Sequence, residues 1–226
     1  MNTVPASLFA PQDPSCPSCH ARLNSLQHVC GVCGFRAEAA CRRYPYEAPP
    51  MERFMDPESR LSARRRYDLE EVIDGFEARF PQVKFHVCII RLPENSECRE
   101  FGYWLFNSSP ARTEDERMQR YHGILLLVDR FRRVASLTVG YGLDPFLGDD
   151  VLRAVMGEAH KSFTQGCYAE GIETVARELE EELRCAHAAA GRAVRAWKKR
   201  RQTAIKEAAG EPGTMDQSLV IGGVRA

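Results

Sequence analysis

No apolar stretch in this sequence is long enough to cross a bilayer; Gly-Ile-Leu-Leu-Leu-Val at 123–128 is typical, and a span needs roughly 20 residues. Nor is there a net charge. Lys+Arg and Asp+Glu both number 31, so no global field draws the chain to nucleic acid or acidic lipid, and any electrostatic role must be local. Residues 1–11 carry no base and no apolar core of seven, which excludes a secretory signal there. Cysteine, by contrast, is plentiful: nine, an odd count, four of them at metal-ligand spacing. Without an export signal, thiols and zinc fit that count better than disulfides, and the expected compartment is the cytoplasm. The 226 residues, 44% hydrophobic and 27% charged, suit one ordinary domain plus a small module.

The module is written Cys16-Pro-Ser-Cys19, then ten residues, then Cys30-Gly-Val-Cys33. A C-x2-C pair forms a tight knuckle that aims two thiolates at one ion, and two knuckles close a tetrahedral shell at about 2.3 Å per bond. Such a shell leaves no position for a reacting water, so Cys16, Cys19, Cys30 and Cys33 point to structural zinc. So small a segment folds on the metal's binding energy. Gly31 and Gly34 are expected to supply positive φ at the second knuckle. His20 and His28 are substitute ligands that the spacing makes unnecessary, and Cys41 lies outside the pattern. Few bases accompany the ribbon (Arg22, then Arg36, Arg42 and Arg43), which is thin for nucleic-acid binding.

The chain divides into a ribbon over 14–41, a Pro-rich linker over 42–55, a body over 56–185, a basic C-terminal helix over 186–210 and a disordered tail over 211–226. In the body, Leu69, Val72, Ile73, Phe76 and Phe80 recur at helical spacing over 62–80, stopped by Pro81. The run 83–92 reads as a buried strand, 98–107 as a helix and the charged 110–120 as a loop. Strands are expected at 122–128 and 133–139, joined tightly through Asp129-Arg130-Phe131, with Ala135, Leu137 and Val139 on one face. Two helices follow, with faces of Leu152, Val155, Met156, Ala159, Phe163 and of Ile172, Val175, Ala176, Leu179, Leu183. Gly140-Tyr-Gly142 lacks the endings of a phosphate grip and reads as strand termination with positive φ. His122 stands beside a strand end as a candidate base with no fixed partner. Cys88 reads as a core thiol, and Cys167 as a more exposed one.

Three stretches carry a resemblance: Gly-Ile-Leu-Leu-Leu-Val-Asp-Arg at 123–130, Val-Gly-Tyr-Gly-Leu-Asp at 139–144 with Leu-Gly-Asp-Asp at 147–150, and Phe163 through Gly166, Tyr168 and Gly171 to Ile172. Together with Asp56 and Leu61-Ser62, they resemble the TPM domain family over about 130 residues. The resemblance implies an α/β fold, a small mixed β-sheet sandwiched by helices, here preceded by a separate zinc ribbon and followed by a helical extension. It also implies a calcium or magnesium site lined by acidic loop residues, here Asp56, Asp144, Asp149 and Asp150. For some members it implies phosphatase activity, and it brings a habit of export or membrane attachment that this chain does not share. Tyr121-His122 stands where the family usually has an acidic or amide pair, which should weaken such a site. Asp149-Asp150 equally suits an N-terminal cap on the following helix.

Residues 169–184 hold six acids and two bases, a net of −4, whereas 192–209 hold seven bases and one acid, a net of +6. A basic helix bearing Val194, Trp197 and Ile205 on one face can meet phosphates, an acidic partner or an anionic membrane. It can also fold back at Gly191 onto its acidic neighbour, which is the expectation here. The favoured reading is an interaction or scaffold protein with a protein partner at the ribbon or C-terminal helix. The alternative is a divalent-metal-dependent phosphatase, and a nucleic-acid-associated protein comes last.

Overall fold

Every residue of the strand Gly123–Asp129 is buried, so the sheet that contains it must be covered on both faces. The computed structural model describes residues 16–19, 21–23 and 29–210, with side chains as far as 203. In chain order its elements are α1 (Ala37–Arg43), β1 (Phe54–Met55), α2 (Ala63–Arg79), β2 (Lys84–Ile90), α3 (Cys98–Ser108), α4 (Glu114–Tyr121), β3 (Gly123–Asp129), β4 (Val134–Val139), α5 (Asp149–Gln165) and α6 (Tyr168–Gly210). The strands form one sheet in the order β1-β2-β3-β4. β1, β2 and β3 run parallel and β4 returns antiparallel to β3. The mixed sheet and its helices are those expected from the sequence.

The pleat sends alternate side chains to two cores. Phe85, Val87 and Ile89 of β2 join Ile124, Leu126 and Val128 of β3 in one, beneath Leu69, Ile73 and Phe76 of α2, Val155 and Phe163 of α5, and Ile172, Leu179 and Leu183 of α6. Cys88, Leu125 and Leu127 point the other way, onto Phe101, Trp104 and Leu105 of α3 with Ala40 of α1 and Tyr44. Leu137 belongs to the first core, with Ala135 and Val139 packed beside it. Ser62 caps α2 by accepting from the Arg65 N–H, and the sharp turn after β3 is held by Asp129, whose Oδ1 accepts from the Phe131 and Arg132 N–H groups.

Besides α1 and β1, which fall in stretches read as ribbon and linker, two elements differ from the sequence reading. The charged 110–120 region, expected as a loop, contains α4. It carries no apolar periodicity because none of its residues is buried. Its helix comes instead from a reciprocal capping box between Thr113 and Glu116 and from three acids in the first turn. At the other end, the expected fold-back at Gly191 does not occur. α6 continues unbroken from Tyr168 to Gly210, since a single glycine costs a helix only about 1 kcal/mol relative to alanine. The expected tail at 211–226 lies outside the described residues.

The segment read as a linker over 42–55 contributes to both the sheet and the second core. Phe54 is a buried residue of β1, in register with Val87. Tyr44, 2% exposed, packs edge-on against Phe101 at 5.1 Å and tilts onto Trp104 at 5.3 Å between ring centroids. Tyr44→Ala should therefore cost about 3 kcal/mol of unfolding free energy in a urea titration. Tyr46→Ala, at a residue 61% exposed, should stay within about 0.5 kcal/mol of the parent. Equal losses at the two tyrosines would show that the second core is not built as described.

Candidate metal centre

The four ribbon cysteines come together. Their sulfurs all lie within 4.8 Å of one another, with Cys16 Sγ 3.6 Å from Cys33 Sγ and Cys19 Sγ 3.6 Å from Cys30 Sγ. Disulfide sulfurs would stand about 2.05 Å apart. Four sulfurs each about 2.3 Å from a zinc ion stand about 3.8 Å apart, which these separations match. The donor set and its spacing fit a tetrahedral zinc ion.

Local backbone makes the cluster. The Cys16 N–H reaches the Ala21 carbonyl at 2.8 Å and the Cys30 N–H the Phe35 carbonyl at 2.9 Å, closing the two knuckles. The Ser18 N–H points at Cys16 Sγ, 3.4 Å away. Gly34 takes the left-handed φ of 74° that lets its N–H return to the Cys30 carbonyl. Gly31 is not left-handed, so only one of the two expected glycine conformations is used. The cysteines differ electrostatically. Burial pushes the Cys16 thiol up to about 12, while the Cys33 and Val32 N–H groups bring Cys30 down to about 6. His20 and His28 lie outside the described residues, and Cys41 is exposed and outside the cluster.

The acidic positions do not gather in this way. Among the described residues the four cysteines are the one set of three or more ligating side chains packed within 4.8 Å. Asp56 follows β1, and its Oδ2 accepts the Leu61 N–H at 2.8 Å. Asp149 and Asp150 occupy the first turn of α5, but Gly148 is the N-cap and no side chain caps it by hydrogen bond. Their contribution to the helix is thus the favourable interaction of carboxylates with its dipole. Asp149 stands 4.0 Å from Arg99 of α3, and Asp150 pairs with Arg153 at 3.4 Å. Burial, with Asp149 beside it, pushes Asp144 up to about 6. No three of Asp56, Asp144, Asp149 and Asp150 bring their carboxylate oxygens within 4.8 Å of one another in this structure.

One further residue had no prior signal as a site neighbour. Arg99 of α3 stands 4.0 Å from Asp149 and so ties α3 to α5; an arginine between Cys98 and Glu100 gives no hint of this. Asp129 is wholly buried and structural, as the turn residue after β3. His122 ends α4, its ring edge-on to Tyr121 at 4.9 Å. The glycines of Gly140-Tyr-Gly142 are required by close approach, since positive φ is absent at both. A Cβ on Gly140 would lie 2.3 Å from the Arg120 and Tyr121 carbonyl oxygens. Cys88 is a buried core thiol, pushed up to about 12 by burial, and Cys167 is half-buried at the turn into α6.

The TPM domain profile matches residues 54–182. Among solved structures, the N-terminal domain of the cg2496 protein of Corynebacterium glutamicum is 12% identical, with 57% of this chain and 78% of that one covered at a TM-score of 0.46. An N-terminal domain from P. gingivalis is 17% identical, with coverages of 64% and 87% at a TM-score of 0.48. The BA42 protein of Bizionia argentinensis is 14% identical, with coverages of 58% and 86% at a TM-score of 0.47. No curated protein matches the chain.

Two outcomes follow from these geometries. Protein purified without chelator should carry about one zinc per chain by elemental analysis, and Cys30→Ser should carry none, since three thiolates leave the shell open. The second concerns Asp144, whose folded value lies above the unfolded one of about 3.9. Between about pH 4 and 6 the unfolded chain gives up this proton more readily, so stability should fall as pH rises through that window. Asp144→Asn should melt above the parent at pH 7 and level with it below pH 4, the opposite of the trend for a salt-bridged carboxylate.

Proposed function

Because this chain belongs to the TPM domain family, we propose that it is an interaction or scaffold protein of that family, without a fixed catalytic activity, in which structural zinc shapes a ribbon for a protein partner. The observation that carries the reading is the contrast between the two ligand sets. Four sulfurs converge into a closed shell, and a closed shell gives shape without an open coordination position for chemistry. Val32, 76% exposed at the tip of the second knuckle, offers an apolar contact of the kind a partner surface buries. Described helices include none long and apolar enough to cross a membrane, and thiol-rich zinc chemistry suits the reducing cytoplasm.

One observation favours the phosphatase reading: Asp144 has a raised pKa, beside Asp149 and with Arg99 near that second carboxylate. A carboxyl group that titrates near neutrality can move a proton. The test separates the readings. Asp149→Asn with Asp150→Asn keeps the fold, since the N-cap is Gly148, and under the scaffold reading there is no magnesium- or calcium-dependent phosphoester hydrolysis for it to abolish. Hydrolysis present in the parent and lost in the folded double variant would make this an enzyme. Conversely, a partner retained by zinc-loaded protein and lost with Val32→Asp, at unchanged zinc content, supports the scaffold.

A further inference from the structure

Among the α6 residues whose side chains are described, Leu183 is the last buried one, and the helix runs on past it. Residues 184–203, about 30 Å at 1.5 Å per residue, are half-buried or exposed throughout. Within 192–203 stand six cations, Arg192, Arg195, Lys198, Lys199, Arg200 and Arg201, and no acid. The acidic half of the same helix cannot neutralise them, because the helix does not turn back. Its ion pairs, Arg177–Glu178 and Arg184–Glu181, end before this segment, and among the described residues no salt bridge reaches 192–203. Arg201 lies over the Trp197 ring at 5.5 Å.

The arrangement of these charges separates two kinds of anionic surface. Successive helix residues are turned by 100°, so Arg192, Arg195 and Lys199 share a stripe, while Lys198, Lys199, Arg200 and Arg201 point in four directions and encircle the axis. A helix lying in a bilayer interface needs an apolar face along its length. Positions 194, 197 and 205 share a side here, but Arg201 falls in the middle of it and the other apolar residues of the segment are alanines. A helix between two rows of phosphates meets charge on both flanks, and the major groove of B-form DNA, about 12 Å wide, admits one. The deep, narrow major groove of duplex RNA does not.

We infer that the C-terminal extension of α6 is a binding element for duplex DNA, held in the major groove by phosphate contacts from the six cations at 192–201. The segment has a single amide side chain, Gln202, and four arginines, Arg192, Arg195, Arg200 and Arg201, of which any aimed at a base edge would read sequence. Phosphate contacts and counterion release dominate the binding. This conclusion does not rest on the scaffold reading, which concerns the ribbon.

The test uses the full-length, zinc-loaded chain and a fluorescein-labelled 30-base-pair duplex of mixed sequence, followed by anisotropy. Six phosphate contacts give a slope of about −5 for log affinity against log salt, and an affinity loss of about 10³-fold between 50 and 200 mM salt. The variant carrying Arg192→Gln, Arg195→Gln, Lys198→Gln and Lys199→Gln keeps helix propensity, which far-UV circular dichroism checks, and retains two cations. Its slope should shrink to about −2. The inference is overturned by absence of duplex binding at 50 mM salt, by an unchanged slope in the folded variant, or by co-sedimentation with phosphatidylserine vesicles under conditions where the duplex stays free.

Discussion

Burial of β3 on both faces is the constraint from which the architecture follows. Gly123–Asp129 is apolar apart from its last residue and fully enclosed, so each face of the sheet must find a cover of its own. α2, α5 and α6 supply one from the body. The other is thinner: α3 provides Phe101, Trp104 and Leu105, and the chain between the ribbon and β1 completes it with Ala40, Tyr44 and the flanking Ala48 and Met51. The residues that lead away from the cysteines are thus part of the wall of the domain.

That placement changes what the ribbon is. Phe35, whose carbonyl closes the second knuckle, also sets its ring edge-on to Tyr103 of α3 at 5.8 Å. Arg43, at the end of α1, pairs with the buried carboxylate of Glu100. Phe35 closes the second cysteine knuckle, and Phe35 and Tyr44 rest on the helix that covers the sheet. The cysteine module is joined to the TPM domain by packing as well as by sequence.

Much of this was legible beforehand because it rests on short-range chemistry. Two C-x2-C pairs declare a cysteine cluster by spacing alone, the continuous apolar run at 123–128 declares a buried strand, and the alternation around Leu137 declares its half-buried partner. α4 was hidden because capping by Thr113 and Glu116 leaves no periodic trace. The continuity of α6 was hidden because Gly191 is as compatible with a helix as with a bend, and only the surrounding residues decide. The role of Gly140 was legible as a glycine requirement but not in its cause, which is the approach of two carbonyl oxygens from the end of α4. The acidic positions carried over from the family resemblance have contacts that the sequence does not announce. Asp149 faces an arginine and Asp56 a backbone N–H, and neither contact is written in the spacing of the acids.

The most direct measurement is X-ray absorption at the zinc edge on the full-length protein. Four cysteine ligands predict a first shell of four sulfur scatterers at about 2.3 Å. A shell containing nitrogen or oxygen at about 2.0–2.1 Å would bring a histidine or water into the site and contradict the closed thiolate centre on which the account depends.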